Sequence, residues 1–212
     1  MKALLIGATG ATGRFLLDQL IQDDHYTAVT IFVRRPTGRL HPKLTEHVID
    51  FSNLNPYREY IKGDVVFSCL GTTLKDAGSR HKQWEVDYGI PAGFAKIARL
   101  NRVSSVVLVS SSDASVKSRV FYSRMKGELE TTIAELGFGQ YIIFRPGPLL
   151  RQGTDRTAEK VVLKFLGFFN SLGLLNRYKA LPTEILAMKL AKAPWTFPRG
   201  TSVLKLQEIV EF

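Results

Sequence analysis

Short apolar runs alternate with longer amphipathic stretches from the first residues of the chain onward. Ala3–Ile6, Ala28–Val33, Val65–Cys69, Val106–Ser110 and Gln140–Phe144 are apolar runs of four to six residues, with a shorter one at His47–Ile49. Between them, helical periodicity runs from Gly13 to about Gln22, around Tyr88–Leu100 and over Phe121–Leu136. A strand buried on both faces reads as a continuous apolar run, whereas a half-exposed one alternates. The pattern therefore predicts six strands joined by helices as βαβ units, in an α/β fold with a doubly wound parallel sheet. Right-handed crossovers then bring every strand's carboxyl end to one edge, where ligands bind.

After Pro148 the rhythm changes. Arg151–Asp155 is polar and loop-like, Ala158–Leu175 is helical and rich in leucine and phenylalanine, and Thr183–Ala191 predicts another helix before a terminal amphipathic stretch through Phe212. The chain is expected to be one domain over residues 1–212, with 151–212 forming a small C-terminal cap on the substrate side. In the segment 161–175 the apolar residues, Phe165, Leu166, Phe168 and Phe169 among them, cover more than one helix face. A cap helix packed on the core is the expected reading; a substrate lid, a dimer surface or an interfacial membrane helix are the alternatives.

Composition narrows the function classes. With 212 residues, 45% hydrophobic and 23% charged, the chain has the balance of a folded globular domain. No stretch approaches the ~18 uninterrupted apolar residues of a membrane span, and the apolar run at the start, Ala3–Ile6, is shorter than a signal-peptide core. Cytoplasmic localisation is the resulting expectation. One cysteine, Cys69, excludes an internal disulfide, and His25, His41, His47 and His81 lack ligand spacing, so no metal site is expected. The net charge of +10 is spread along the chain without an arginine-rich run, which argues against nucleic acid and for a small-molecule partner with phosphates. The sequence leaves both monomer and homodimer open.

The phosphates have an evident place. Gly7-Ala8-Thr9-Gly10-Ala11-Thr12-Gly13 lies directly between a predicted strand and a predicted helix. Gly7 suits the tight turn, Gly10 admits a pyrophosphate to the backbone, and Gly13 lets helix and strand approach. Free N–H groups and the positive end of the helix dipole then face the anion. Together with the alternating pattern, this makes the fold Rossmann-type. NAD-binding chains usually carry Asp or Glu about 20 residues beyond the glycines; here the second strand ends in Arg34-Arg35. Guanidiniums pair with a 2′-phosphate, so the expected cofactor is NADP(H). Asp50 and Phe51 follow the third strand on the adenine side, and Cys69, Leu70, Gly71 and Thr72 follow the fourth on the ribose side. Cys69 reads as a small buried hydrophobe.

Tyr122 and Lys126 are four residues apart on a predicted helix and share one face. An unperturbed phenol titrates near ~10, and a neighbouring cation favours its ionised form. Lys126 also suits the nicotinamide ribose hydroxyls. The fifth strand ends in Ser110-Ser111-Ser112, any one of which offers a hydroxyl to a substrate oxygen beside Tyr122. Strand register decides which; Ser111 is preferred, then Ser112.

These motifs together resemble the atypical short-chain dehydrogenases/reductases, and more narrowly the Tat-interacting-protein-like oxidoreductases. The matching residues are the loop Gly7–Gly13, Cys69-Leu70-Gly71-Thr72-Thr73, Val86-Asp87-Tyr88, the serine run, Tyr122 with Lys126-Gly127-Glu128, and Phe144-Arg145-Pro146-Gly147, with Pro146 on the cofactor side. The resemblance covers nearly the whole chain and is weakest after Arg151. It implies NADP(H) binding and a Ser-Tyr-Lys catalytic group, hence an oxidoreductase that reduces a carbonyl of a small molecule by hydride transfer. It names no substrate. The tail is shorter than that of sugar-nucleotide epimerases, which argues against a bulky nucleotide sugar. The alternative is an NADP(H)-binding sensor or regulatory interaction protein with little turnover, against which an intact acid/base pair argues.

Overall fold

The apolar runs become the centre of a single parallel sheet. The computed structural model describes residues 1–150 and 180–212. Its strands in chain order are β1 (Lys2–Ile6), β2 (Ala28–Val33), β3 (Leu44–Val48), β4 (Val65–Ser68), β5 (Ser105–Val109), β6 (Gln140–Arg145), β7 (Leu149–Leu150), β8 (Leu181–Pro182) and β9 (Gly200–Lys205). Seven of them form one sheet in the order β3-β2-β1-β4-β5-β6-β9, with every pairing parallel; β7 and β8 pair separately. The order reverses between β1 and β4, and such a switch opens a crevice at the carboxyl ends of those two strands.

Leu4, Leu5 and Ile6 of β1 are fully buried because helices cover both faces, each side chain contributing roughly 1.5–3 kcal/mol. On one face α1 (Gly13–Gln22) packs Leu16, Leu17 and Leu20 against Leu186 and Leu190 of α6 (Thr183–Thr196). On the other, Phe94 and Ala98 of α4 (Ile90–Leu100) meet Leu129 and Ile133 of α5 (Phe121–Glu135). The buried Tyr26 hydroxyl donates to the Ala191 carbonyl at 2.6 Å, tying the start of β2 to α6. Burial and, less, Asp23 raise the titration of this phenol, so it stays protonated as the donor.

The helix predicted around Tyr88–Leu100 extends further towards the amino terminus. After the short α2 (Leu74–Ala77), α3 (Arg80–Trp84) runs through a π-helical turn at Glu85–Gly89 into α4. Pro91 accounts for that turn: it has no N–H for the Asp87 carbonyl, and its ring would collide with that oxygen in a regular helix. The Ile90 N–H bonds Glu85 O instead, five residues back.

Two expectations change at the sheet margins. The third strand is Leu44–Val48 instead of His47–Ile49, its residues exposed or half-buried, as an edge strand permits. The cap expected over 151–212 does not hold for its last part. Leu181–Phe212 supplies α6, the seventh strand β9 and α7 (Leu206–Glu211), all continuing the layered fold. Gln140 at the start of β6 secures this addition, its amide donating to Pro194 O at 3.0 Å and Phe197 O at 2.7 Å. The loop Arg151–Asp155 and the Leu/Phe-rich segment 161–175 lie outside the described residues. Among the described residues, no helix is long and apolar enough to cross a membrane.

Candidate active site

β1 ends at Ile6, and the chain reverses through Gly7 at φ +86°, a left-handed conformation that favours glycine. A Cβ on Gly7 would lie 2.6 Å from the Cys69 carbonyl carbon, and one on Gly13 would lie 2.0 Å from Gly7 O. Both obstacles are backbone, so the loop closes only with glycine at these positions. The Gly10 N–H donates to Gly7 O at 3.0 Å, completing the turn. The first turn of α1 carries no acidic residue, which leaves its positive dipole end available to an anion. A strapped glycine loop at a helix start fits the pyrophosphate of a dinucleotide.

The crevice beside this loop holds most of the expected cofactor residues. Gly7, Thr9, Gly10, Arg34, Phe51, Cys69, Leu70, Gly71 and Thr72 line a cleft of about 560 Å³. Arg34 and Arg35 are both exposed, and with Thr9 and Pro36 they line an adjoining groove. Among the described residues, neither arginine has a carboxylate partner. Towards β5 the same crevice continues over Ala11, Thr12, Thr72, Ser110, Tyr122 and Lys126. Gly13 is buried at the helix start, where its role is packing. Burial pushes the Cys69 thiol up to about 12, so it carries no nucleophile at neutral pH.

Besides Gly13, four expected residues lie off the walls of the cleft. Asp50 is exposed and turned onto Ser52, whose N–H and hydroxyl donate to it at 2.9 and 2.8 Å and lower its titration. The buried Pro146 meets the serine run through its carbonyl, which accepts the Ser112 N–H at 3.0 Å. Ser111 and Ser112 are half-buried, and the Ser111 carbonyl accepts the Ala114 N–H. Ser110 is the serine on the wall with Tyr122 and Lys126, and its hydroxyl donates to Glu130 Oε1 at 2.5 Å.

Tyr122 stands at the mouth of the cleft, 36% exposed, whereas Lys126 is 2% exposed. The Lys126 ammonium lies 5.8 Å from the centroid of the Tyr122 ring. α5 is held close to the preceding loop because Gly127 has no side chain; a Cβ there would lie 2.4 Å from the Ser115 backbone. The Ser115 N–H donates to Ser123 O at 3.0 Å across the same contact.

Two groups that spacing alone does not disclose complete the site. Asp87, fully buried on the π-turn, has Oδ1 3.3 Å from Lys126 Nζ. Its Oδ2 accepts the Thr72 N–H at 2.8 Å. Burial raises the Asp87 titration above the usual carboxylate range, opposed by the Lys126 charge and the Thr72 N–H. The second group is Glu130 of α5, which accepts from Arg145 Nε at 3.0 Å and Nη2 at 2.5 Å as well as from Ser110. Asp87 and Arg145 both fall in motifs that carry the family resemblance, but their partners are 39 and 15 residues away in the chain. Among the described residues no group of side chains is arranged to hold a metal ion.

The fold and cleft define a nicotinamide-dinucleotide-binding protein like the short-chain dehydrogenases/reductases. Residues 7–166 match the family model described as NAD(P)H-binding, and the chain belongs to that family. It is 34% identical over 172 residues to protein HTATIP2 of Rattus norvegicus, covering 78% of this chain and 70% of that one. It is 36% identical over 184 residues to mitochondrial protein fmp52 of Emericella nidulans, covering 81% and 76%. Among solved structures it resembles MoeE5 in complex with UDP-glucose and NAD, with a TM-score of 0.72 and 16% identity over 100% of this chain and 80% of that one. The oxidoreductase ylbE from Lactococcus lactis gives 0.69 and 17% over 100% and 95%. At such identities the structures establish the shared fold. The expectation of a cytoplasmic protein does not stand: fungal relatives 31% to 36% identical are mitochondrial by name. The missing secretory pattern on which it rested does not choose among compartments.

The glycine loop yields a direct test. Gly13→Ala is expected to weaken dinucleotide binding at least about tenfold and to lower the melting temperature, because its methyl must displace Gly7 backbone. Fluorescence titration and thermal denaturation measure both; wild-type affinity in this variant would contradict the loop assignment.

Proposed function

We propose that the chain is an NADP(H)-dependent oxidoreductase that reduces a carbonyl group of a small-molecule substrate. The observation that carries this reading is the polarity of the cleft: Arg34 and Arg35 mark one end, while Tyr122 and the buried Lys126 mark the other. At the arginine end a guanidinium pairs with a ribose 2′-phosphate, and an acidic residue in its place would repel one. When bound, the nicotinamide cofactor would supply the hydride. The Tyr122 hydroxyl, reachable from solvent, donates its proton to the substrate oxygen as charge develops there. Lys126 would hold a ribose hydroxyl of the cofactor through its ammonium, and it keeps a positive charge near the Tyr122 ring. The serine run contributes a second donor to the same oxygen. Ser110 on the wall engages its proton with Glu130, so Ser111 is the residue assigned that role, with Ser112 next, and the assignment requires a hydroxyl now off the cleft wall to turn towards Tyr122.

Titrating the purified protein with NADPH and NADH, alongside Arg34→Asp and Arg35→Asp, tests the reading. The expected result is a preference for NADPH that at least one variant abolishes, following enhanced cofactor fluorescence. Equal affinity for both cofactors would show that the arginines are surface residues and refute the NADP(H) preference. Failure to bind either would remove the oxidoreductase reading altogether.

A further inference from the structure

We propose that Asp87 is a positioning residue, one carboxylate that fixes both Lys126 and the Gly71–Thr73 loop across the floor of the cleft. The inference rests on the oxidoreductase reading of that cleft and assigns a role to a residue which that reading does not use.

The geometry divides the work between the two oxygens. Oδ2 receives the Thr72 N–H at 2.8 Å, while Oδ1 faces Lys126 Nζ at 3.3 Å. Thr72 is gripped a second time, its carbonyl accepting from Gln83 Nε2 at 3.0 Å. Gln83 and Asp87 are four residues apart and so project from neighbouring turns of one helical segment. Both peptide groups of Thr72 are thereby fixed to that segment. Lys126 approaches from α5, which packs against the π-turn. A lysine side chain has four rotatable carbons and a single point charge, and nothing in a regular helix determines where its ammonium comes to rest. Asp87 supplies the fixed end.

Two features separate positioning from ordinary stabilisation. Both groups are almost wholly excluded from water, at 2% and 0% side-chain exposure, and the loss of hydration offsets much of the attraction in such a pair. A fold needing only stability would accept two apolar side chains here. The carboxylate is also presented by the π-turn, the local departure from regular helix that Pro91 imposes. Turns of this kind recur where a helix re-aims a functional side chain.

The variants Asp87→Asn, Lys126→Met and the double substitution test the inference, with NADPH affinity followed by fluorescence and the melting temperature of the cofactor-free protein. Asparagine still accepts the Thr72 N–H, so Asp87→Asn removes the charge pair and keeps the loop in place. We expect Asp87→Asn to weaken NADPH binding about tenfold, and the emission of the bound nicotinamide to move towards that of free NADPH. If Asp87 acts through Lys126, the double variant binds no more weakly than Lys126→Met alone, because coupled residues are not additive. Its melting temperature should lie closer to wild type than that of either single variant, since neither charge is then left buried alone. Unchanged affinity in Asp87→Asn, or losses that multiply in the double variant, would overturn the positioning role while leaving the cofactor site intact. A wild-type protein that binds neither NADPH nor NADH overturns the reading of the cleft and this inference with it.

Discussion

Tyr122→Phe is expected to lower carbonyl reduction by about 10²- to 10⁴-fold, the usual contribution of a positioned acid, while NADPH affinity stays near the wild-type value. The substitution removes one oxygen at the mouth of the cleft and keeps the ring. Among the described residues that hydroxyl has no hydrogen-bond partner, so no buried group is orphaned. The ring, 36% exposed, keeps its place near the Lys126 ammonium. The loss should therefore fall on kcat, with substrate KM little changed, the signature of an interaction made chiefly in the transition state. Loss of NADPH absorbance over a panel of aldehydes and ketones measures it. Undiminished turnover in Tyr122→Phe would mean that the proton comes from elsewhere, and the assignment of Tyr122 as acid would be wrong.

The sheet and the glycine loop were legible because they are local. A buried parallel strand announces itself in five residues, as Val65–Cys69 does, and Gly7, Gly10 and Gly13 carry their meaning in seven. β9 was hidden because Gly200–Lys205 lies at the sheet edge with its residues mostly exposed, so its sequence shows no continuous apolar run. The start of the helix at Arg80 was hidden for a related reason: Arg80, His81 and Lys82 face solvent and give no apolar stripe. Within the site, Tyr122 and Lys126 could be paired by helical spacing alone. Asp87 and Lys126 could not, since only the packing of the π-turn against α5 brings them together. The serine run shows the same limit, because its residue types can be read at once while the wall each one joins depends on the path of the chain after β5. That path places Ser110 beside Tyr122 and engages its proton with a glutamate 20 residues away.

That glutamate carries the largest expected effect on stability. Glu130→Ala should destabilise the fold by about 3–5 kcal/mol, the usual result of removing one partner from a buried ion pair. For a chain of this length each kcal/mol shifts the melting temperature by roughly 2–4 °C, so a fall of about 10 °C is expected. Glu130 is 7% exposed at its side chain, and its two oxygens receive three donors: Arg145 Nε, Arg145 Nη2 and Ser110 Oγ. The carboxylate holds the Arg145 guanidinium more firmly charged, outweighing the opposing effect of burial. Alanine would leave that charge, 26% exposed, without its bidentate partner, and the Ser110 hydroxyl without an acceptor. Glu130→Gln should cost less. In the Oε1 position its amide oxygen still accepts from Arg145 Nε and the Ser110 hydroxyl, and only the Arg145 Nη2 contact is lost, where the amide nitrogen meets another donor. Thermal denaturation of the two variants ranks them directly. If both melt with the wild type, the pair behaves as a solvated surface contact worth at most about 1 kcal/mol, and the Ser110–Glu130–Arg145 network has no part in holding the ends of β5 and β6 together. If Glu130→Ala melts early while Glu130→Gln is folded but has lost turnover, the network also sets the serine run against Tyr122, because the amide preserves the packing and changes only which atoms donate.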